Sequence, residues 1–584
     1  MSKSEGKKSG SDIVISDMSH CKPASAISKR ESRNRWQLLA YRTYDAEPQS
    51  GVMLGAPSYV AAPEVTLPLN ASGWHAVSIG FWIPKHDYDG ATTVKVKLDN
   101  DPCFFRISEP EPVFGTQPKD GASLLKEAHF KNADLTGRSL VFGKIGGAFA
   151  QKAYIAYIRL TPLGEGAVQA LQADRGRADT RTVQATNDGI SYLCNLEYHS
   201  REHILELVEP YRNSDVGKVT WAFCCGEATN YPSKVGTYMG RSGNSRNKSL
   251  CNNPFQMGMV IAQDSLSCLE AKGIIPQAVV AEHVHGMGLK FEAMFRLGMS
   301  GHLPPQRVTG LFDGGFVRAH PQFRLCMADG TPVEKTSYAY PEVRSLMLGI
   351  IRESAELFDI DGASLAFNRG PLFVAWEQPV LDDFRKEYNA DARDLPLDDP
   401  RLCQIRFRYL NEFVRDARRV LDEVGAAKGK RLELSAWYQE QTAAGRAYSG
   451  LDVETWIREG LLDSVVGSVG KAGMDPAIIA AANAHNCRCI PGFVCSNGES
   501  RKALLNKAPT WLYPAGASGI ALWDSDPMDT LWPAMQRMGH RDEFFTMAKT
   551  PPERPIIGLK DVEGCNMEAE NGRFGLGQAA YSCG

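Results

Sequence analysis

Residues 337–371, SYAYPEVRSLMLGIIRESAELFDIDGASLAFNRGP, carry the pattern that decides the fold. In the first part, apolar residues recur at three- and four-residue spacing, which predicts a helix with one buried face. These residues are Val343, Leu346, Met347, Ile350 and Ile351. The run GASLAF (362–367) is apolar enough for a strand buried on both faces, and Asn368 and Arg369 follow it directly. A buried parallel strand with polar residues at its C-terminal end is typical of an α/β barrel active site.

The composition is that of an ordinary globular protein with more than one domain. The chain has 584 residues, which exceeds the usual size of a single domain. Hydrophobic residues make up 43%, charged residues 23%, and the net charge is −3, so a nucleic-acid-binding surface is not indicated. No run approaches the roughly 18 apolar residues that a membrane helix needs. We therefore expect neither nucleic acid nor membrane as a partner, and oligomeric state stays open.

Residues 1–34 are rich in Ser, Lys and Arg, which predicts a disordered polar tail. This segment lacks the apolar core of a secretory signal, so we expect a cytoplasmic protein unless the true start lies elsewhere. The 14 cysteines are too sparse for a disulfide scaffold, and several lie in apolar runs, which favours free buried thiols. Cys487 and Cys489 do not have zinc-ribbon spacing, and His283 and His285 do not share a helical face. Neither a metal nor another cofactor is expected.

The order and spacing of the predicted strands and helices divide the chain into two main domains. Residues 35–165 contain short apolar or alternating runs between turn residues, which predicts an all-β, sandwich-like accessory domain. Its role is either structural or sugar binding through exposed aromatic residues such as Trp74 or Trp82. Strands then alternate with helices over residues 185–545, which predicts an α/β fold of the (β/α)8 TIM-barrel type. The C-terminal extension, 552–584, could return one strand to the β-domain.

Eight barrel strands are predicted, at 190–198, 219–225, 289–296, 362–368, 431–438, 464–469, 487–494 and 519–524. An open doubly wound sheet is the alternative fold. No G-x-G-x-x-G motif follows the first strand, so the usual nucleotide-binding fingerprint of that alternative is missing.

The predicted strand ends supply carboxylates, aromatic rings, an amide and two arginines. The predicted substrate-binding residues are Glu197, Glu227, Arg296, Asn368, Arg369, Trp437, Trp523 and Asp526. Aromatic faces stack on sugar C–H surfaces, and carboxylates and amides bond hydroxyl groups, so an oligosaccharide or glycoside is the expected ligand. A glycosidase also needs two carboxyl groups, one of which keeps its proton near neutral pH. We assign these catalytic roles to Glu377, after the fourth strand, and Asp524, at the eighth.

Several of these residues have a competing structural explanation. Glu292 and Arg296 have the same parity on the third strand, so a buried ion pair explains them as well as function does. For Glu377 and Asp524 the competing explanation is a surface salt bridge.

The barrel region, roughly residues 185–545, resembles the glycosyl-hydrolase-like 10 family and its neighbours among bacterial barrel glycosidases. The resemblance rests on AEHVHGMGLKFEAMFRLG, FVRAHPQFRL, SYAYPEVRSLMLGIIRE with FDIDGASLAFNRGP, GLDVETWIREGLLD and GASGIALWDSD. It implies a (β/α)8 barrel that acts on carbohydrate and that often carries a β-rich accessory domain.

One position of the fourth strand departs from that family. Relatives tend to carry D-G-(V/I)-x-L-D-(F/Y)-x-R, and the residues that match here are Asp361, Gly362, Leu365, Phe367 and Arg369. Ala366 stands in place of the second acid, which removes a nucleophile or an electrostatic stabiliser. Three hypotheses follow: a glycoside hydrolase, which we favour; a non-catalytic sugar-binding protein on a decayed barrel; and a barrel lyase or isomerase. The third is weakened by the lack of an obvious metal cluster or Schiff-base lysine.

Overall fold

The structure is a computed structural model. It describes residues 11–43, 50–83, 92–108, 124–146, 151–194, 198–241, 254–298, 315–368, 371–440, 442–469, 474–494, 504, 508–523, 536–543, 556–562 and 565–566. An all-β domain precedes a closed barrel of eight parallel strands, so the predicted fold class is confirmed.

The β-domain is built from two sheets that share one core and are antiparallel except for the parallel pair β2–β3. Its strands are β1 Ile13–Ile15, β2 Ile27–Ser28, β3 Trp36–Thr43, β4 Ser50–Ala56, β5 Val65–Pro68, β6 Trp74–Ile83, β7 Thr93–Leu98, β8 Phe105–Ser108, β9 Leu124–Asp134, β10 Ser139–Gly143 and β11 Ala153–Pro162. One sheet has the order β5-β10-β7-β8, and the larger one contains β2-β3-β4-β11-β6-β9. Apolar residues from both sheets, such as Trp36, Phe81 and Phe142, form a single cluster between them.

The remaining strands continue in chain order. They are β12 Val183–Asn187, β13 Val216–Cys225, β14 Ala228–Thr229, β15 Thr237–Tyr238, β16 Lys290–Arg296, β17 Arg324–Cys326, β18 Pro332–Thr336, β19 Gly362–Ala366, β20 Glu433–Tyr438, β21 Ser464–Ser468, β22 Arg488–Val494, β23 Ile520–Trp523, β24 Ile556–Val562 and β25 Cys565–Asn566. The barrel order is β12-β13-β16-β19-β20-β21-β22-β23, and β23 pairs with β12 to close it.

The helices lie mainly between the barrel strands. They are α1 Glu165–Arg175, α2 Arg201–Leu205, α3 Pro254–Ala271, α4 Pro276–Gly286, α5 Gly315–Ala319, α6 Pro341–Leu357, α7 Gln378–Tyr388, α8 Pro400–Lys428, α9 Ala443–Ser449, α10 Val453–Arg458 and α11 Pro476–Ala484. Helix α6 buries Val343, Met347, Ile350 and Ile351, the face that its spacing predicts. Within the described ranges, no helix combines the length and apolar character that crossing a membrane requires.

Two predictions for the β-domain are wrong. Residues 11–34, expected to belong to a disordered tail, are part of this domain, because β1 pairs with β11 and the side chains of Met18 and Cys21 enter the core. Trp82, expected to be an exposed aromatic, is 2% exposed and packs edge-on against Tyr154 with 4.8 Å between ring centroids. Strand alternation turns Trp82 towards a second apolar cluster, to which β24 contributes two side chains.

Seven of the eight predicted barrel strands coincide with observed strands, but the first does not. The first strand is Val183–Asn187, whereas the predicted segment 190–198 contains the 3-10 turn Ser191–Cys194. The predicted strand-end residue Glu197 lies outside the described residues.

Local hydrogen bonding explains this shift. The Asp188 carboxylate accepts the backbone N–H groups of Ile190 and Ser191 at 3.0 and 2.8 Å, which turns the chain away from the sheet. The observed strand was hard to predict because its residues Gln184 and Thr186 are polar although they are buried.

The N-terminal end of the barrel interior is closed by a buried charge network. The Lys218 Nζ lies 3.0 Å from Glu292 Oε1 and 3.0 Å from Glu433 Oε2. Gly362 of β19 lies in register between the two glutamates, and a Cβ there would lie 2.6 Å from the Glu433 carbonyl oxygen. Burial alone would raise the pKa of Glu433, but Lys218 and the other cations around it outweigh burial and hold this pKa well below its usual range.

We expect Lys218→Met to destabilise the barrel by about 3–5 kcal/mol, because it leaves the buried Glu292 carboxylate without a cation among the described residues and removes one of the cations around Glu433. Urea unfolding followed by tryptophan fluorescence measures this loss. Lys290→Met is the matched control, since Lys290 also contacts Glu433, at 2.5 Å, but its side chain is 51% exposed. The control should cost less than about 1 kcal/mol, and equal losses in the two variants would contradict the role given to Lys218.

Candidate active site

The C-terminal end of the barrel interior is filled by a small apolar cluster. Its members are Ala222, Met294, Ala366, Trp437, Val466, Ile490, Ala521 and Trp523. The rings of Trp437 and Trp523 meet edge to face, with 4.8 Å between centroids and 78° between planes. Trp437 Nε1 donates a hydrogen bond to Ser468 Oγ at 3.0 Å, which fixes the indole. The two predicted aromatic residues therefore form the floor of the barrel opening.

A glycine on the neighbouring strand makes room for this floor. A Cβ on Gly492 of β22 would lie 2.7 Å from Trp437 Cζ2 and 3.2 Å from Val466 Cγ1. Because the 2.7 Å contact is shorter than real Cβ atoms make, the Trp437 ring can cross over β22 only where that strand carries no side chain.

Arg296, Ala366 and Trp437 lie side by side on β16, β19 and β20, as register partners at the strand ends. The Arg296 Nε is buried and has no hydrogen-bond partner among the described residues. The ion pair considered for Glu292 and Arg296 is not formed; Glu292 binds Lys218 and accepts a hydrogen bond from Thr220 Oγ1 at 3.0 Å instead. With alanine at 366, the neighbouring strand offers Arg296 no carboxylate.

Asn368 also presents a buried polar atom without a partner. It follows β19, next to the end of β16, and its Oδ1 makes no hydrogen bond within the part of the chain that the structure describes. An unpaired buried polar atom is costly, so ligand contact is the ordinary explanation for such groups at a barrel opening.

Glu377, the predicted acid, precedes helix α7 and is fully buried. Its carboxylate accepts the backbone N–H groups of Ala375, at 2.8 and 3.1 Å, and of Cys326, at 3.1 Å. The side chain therefore joins the connection after β19 to the β17–β18 hairpin, which belongs to the connection after β16.

Burial raises the pKa of Glu377 to about 7, and the hydrogen bonds from Ala375 and Cys326 oppose this rise. A carboxyl group with such a pKa is partly protonated at neutral pH, as a general acid must be. The electrostatic requirement is thus met, whereas the carboxyl oxygens face backbone donors in this conformation.

Glu227 likewise joins two barrel connections, the one after β13 and the one after β16. It follows β13, is 2% exposed, and accepts the backbone N–H groups of Phe316 at 3.0 Å and Val317 at 2.8 Å. Thr237 Oγ1 donates to it at 3.2 Å. Its carboxylate thus ties the connection after β13 to helix α5, while its predicted contact with substrate stays a prediction.

The other predicted site residues lie outside the described residues: Glu197, Arg369, Asp524 and Asp526.

Two groups at this end of the barrel were missed by the sequence analysis. Asn187 and Asp188 stand at the true end of the first strand. Arg406 is fully buried on α8 and donates to the carbonyl oxygens of Leu397 at 2.8 Å and Tyr448 at 2.7 Å. Burial lowers the pKa of Arg406 to about 10. The sequence signal that could have indicated Arg406 is an arginine within the apolar face of the segment that forms α8.

In the described ranges, no group of three or more His, Cys, Asp or Glu side chains could hold a metal ion. His283 Nε2 lies 2.5 Å from Glu209 Oε2, and His285 Nε2 lies 2.9 Å from Asp361 Oδ2. These histidines therefore take part in ion pairs or hydrogen bonds between barrel connections.

No family model and no curated protein matches the chain, so the resemblance to the glycosyl-hydrolase-like 10 family rests on its motifs alone.

Solved structures with some similarity include glycosidases. Alpha-L-fucosidase isoenzyme 2 from Paenibacillus thiaminolyticus is 13% identical over 63% of this chain and 49% of that chain, with a TM-score of 0.39. The PgaB (BpsB) glycoside hydrolase domain from Bordetella bronchiseptica is 13% identical over 61% of this chain and 98% of that domain, with a TM-score of 0.37. The GH36 alpha-galactosidase AgaA from Geobacillus stearothermophilus is 11% identical over 85% and 64%, with a TM-score of 0.31.

The chain spans about half the length of the fucosidase that it matches. The fold follows from the strand pairing of this chain, and the site follows from its own residues.

We expect Gly492→Ala to displace the Trp437 ring and to destabilise the barrel by about 1–3 kcal/mol, the usual cost of overpacking. Thermal unfolding measures the loss, and near-ultraviolet circular dichroism reports the altered pairing of Trp437 with Trp523. Gly166→Ala in α1 is the matched control, because no atom lies within 4 Å of a Cβ there. An unchanged tryptophan signal in Gly492→Ala would contradict this account of the floor.

Proposed function

We propose that this chain is a carbohydrate-active enzyme, a glycoside hydrolase that binds an oligosaccharide or glycoside at the C-terminal opening of its barrel. The observation that carries the proposal is the aromatic floor of Trp437 and Trp523 beside two buried, unpaired polar atoms, Arg296 Nε and Asn368 Oδ1. Indole rings bind the C–H faces of sugars, and guanidinium and amide groups bind their hydroxyls. This combination suits a polyol better than an apolar ligand.

For the chemistry we propose Glu377 as general acid and Asp524 as its partner carboxylate. The pKa of Glu377, about 7, supports the first role, because the acid must hold a proton until the glycosidic oxygen leaves. Proton delivery requires the Glu377 side chain to exchange the N–H groups of Ala375 and Cys326 for that oxygen. Asp524 would act as nucleophile or as base towards water, depending on its distance from Glu377.

A second function is supported by a specific observation, namely the replacement of the fourth-strand acid by Ala366 within an apolar cluster. With this acid absent and Glu377 bound to backbone amides, the same opening suits a sugar-binding protein without turnover. Sugar recognition by Trp437, Arg296 and Asn368 is common to both functions, so hydrolysis alone discriminates between them.

We expect Glu377→Gln to lower kcat by about 10²–10⁴-fold, because the amide cannot supply the proton. Release of reducing sugar from a panel of oligosaccharides and aryl glycosides measures it. The pH profile adds a second readout: the unsubstituted protein should lose activity above about pH 7, since a group with a pKa of about 7 loses its proton there.

Glu387→Gln is the matched control for that variant, since Glu387 lies on the same helix, α7, and pairs with Arg408 at the surface. Full activity in Glu377→Gln would remove Glu377 from the mechanism. Saturable sugar binding without product in the unsubstituted protein would favour the binding function.

We expect Ala366→Asp to weaken sugar binding about tenfold or more, the loss of one charged hydrogen bond. The new carboxylate would stand in register beside Arg296 and occupy its guanidinium. Titration calorimetry with the best oligosaccharide of the panel measures this effect, and Ala366→Asn is the uncharged control of the same size. Unchanged binding in Ala366→Asp would remove Arg296 from the site, and newly gained hydrolysis would identify the barrel as a decayed enzyme.

A further inference from the structure

A cleft of about 430 Å³ lies between the β-domain and the N-terminal side of the barrel. Its walls come from β9, from the turn between β7 and β8, from helix α1 and from residues 209–213, which lead into β13. Gln536 and Arg537 close one side. The cleft is therefore at the opposite end of the barrel from Trp437 and Trp523, and its size is that of a small-molecule site.

Most charged groups that line the cleft have an ion-pair partner; among the described residues the exceptions are the exposed Asp134, which accepts from Thr136, and Arg175. The pairs are Lys131 with Asp101, Arg212 with Glu209, Arg537 with Asp174, and Arg138 with Asp99. Arg175 lines the cleft as well and donates to the Asn132 carbonyl oxygen at 3.1 Å, but it meets no carboxylate among the described residues. Burial lowers the pKa of Arg175, which agrees with a cation that no anion offsets. Its guanidinium still carries a positive charge at neutral pH.

Two half-buried rings accompany Arg175. Its Cζ lies 5.8 Å from the ring centroid of Trp74, the residue that begins β6. His129 of β9 also lines the cleft, and its imidazole makes no hydrogen bond to a described residue. Burial lowers the pKa of His129; the charge of Glu127 opposes this and that of Arg175 adds to it, so the ring favours its neutral form, which can both donate and accept.

These groups define the chemistry of a ligand. The unpaired guanidinium calls for an anionic partner, and bidentate contact favours a carboxylate or phosphate. The other four cations of the cleft already have carboxylate partners, so among the described residues one cation is left uncompensated, and a singly charged carboxylate matches it better than a phosphate. The Trp74 indole and the side chains of Asn100 and Asn132 suit a ring that bears hydroxyl groups.

We propose that this cleft, the seam site of Trp74, His129, Asn132 and Arg175, binds a saccharide unit that carries one carboxylate, such as a uronic acid. The carboxylate contacts the guanidinium of Arg175, and the sugar ring lies against Trp74. The seam site does not depend on catalysis in the barrel and would serve a protein that holds an acidic glycan at two places.

The test is titration calorimetry of the full chain with cellobiouronic acid and with cellobiose, which differ only in that a carboxylate replaces one hydroxymethyl group. We expect saturable binding of the uronate, at least about tenfold tighter than binding of the neutral sugar. Arg175→Gln and Trp74→Ala should each weaken uronate binding about tenfold or more, whereas Arg175→Lys should retain part of it. Because binding is measured directly, a barrel without hydrolytic activity leaves the result unaffected.

Arg177→Gln is the matched control, since Arg177 lies two residues beyond Arg175 and pairs with Asp179 at the surface. Thermal unfolding of each variant is recorded first, and Trp74→Phe replaces Trp74→Ala if the latter does not fold. Equal binding of the two sugars would overturn the proposed carboxylate contact. Binding of the uronate that survives both Arg175→Gln and the Trp74 variant would overturn the seam site.

Discussion

The contact of the Lys218 ammonium group with the carboxylates of Glu292 and Glu433 sets the register on which the rest of the barrel depends. It joins β13 to β16 and β20 across Gly362, so these strands cannot slide past one another without separating buried charges. Side chains alternate along a strand, so fixing Glu292 at the lower end also fixes which residues face inwards above it. Arg296 reaches the opening for this reason.

Two described acids at the opening differ from a simple catalytic pair because their carboxylates bind backbone amides. Glu227 and Glu377 are both buried, and both accept a backbone N–H group from a neighbouring connection, from Val317 and Cys326 respectively. A carboxylate in such a position stabilises the loop that a substrate would touch. Substituting either glutamate would change the shape of the opening as well as its chemistry. Loss of activity alone would therefore not identify a proton-transfer role, and a pH profile is needed as well.

The sequence predicted the repetitive features of the fold and missed those that depend on distant contacts. Alternating and apolar runs between predicted helices located all but one barrel strand. The strand that was missed is Val183–Asn187, because its Gln184 and Thr186 are buried but polar and so resemble exposed residues in the sequence. Trp437 and Trp523 were predicted at the opening because strand ends converge there. The backbone partners of Glu377 come from Cys326 and Ala375 through loop geometry, which no spacing rule encodes.

Strand β24 gives the chain an unusual order of assembly. It follows the whole barrel in sequence, yet it pairs with β3 and β9, and its Leu559 and Val562 lie in an apolar cluster with Leu39 and Tyr41. The β-domain is thus discontinuous, with the barrel inserted between its parts. During synthesis every barrel strand leaves the ribosome before β24 does. The edges of β3 and β9 that bind β24 therefore stay unpaired until the C-terminal part of the chain has been made. The domain made first is completed last.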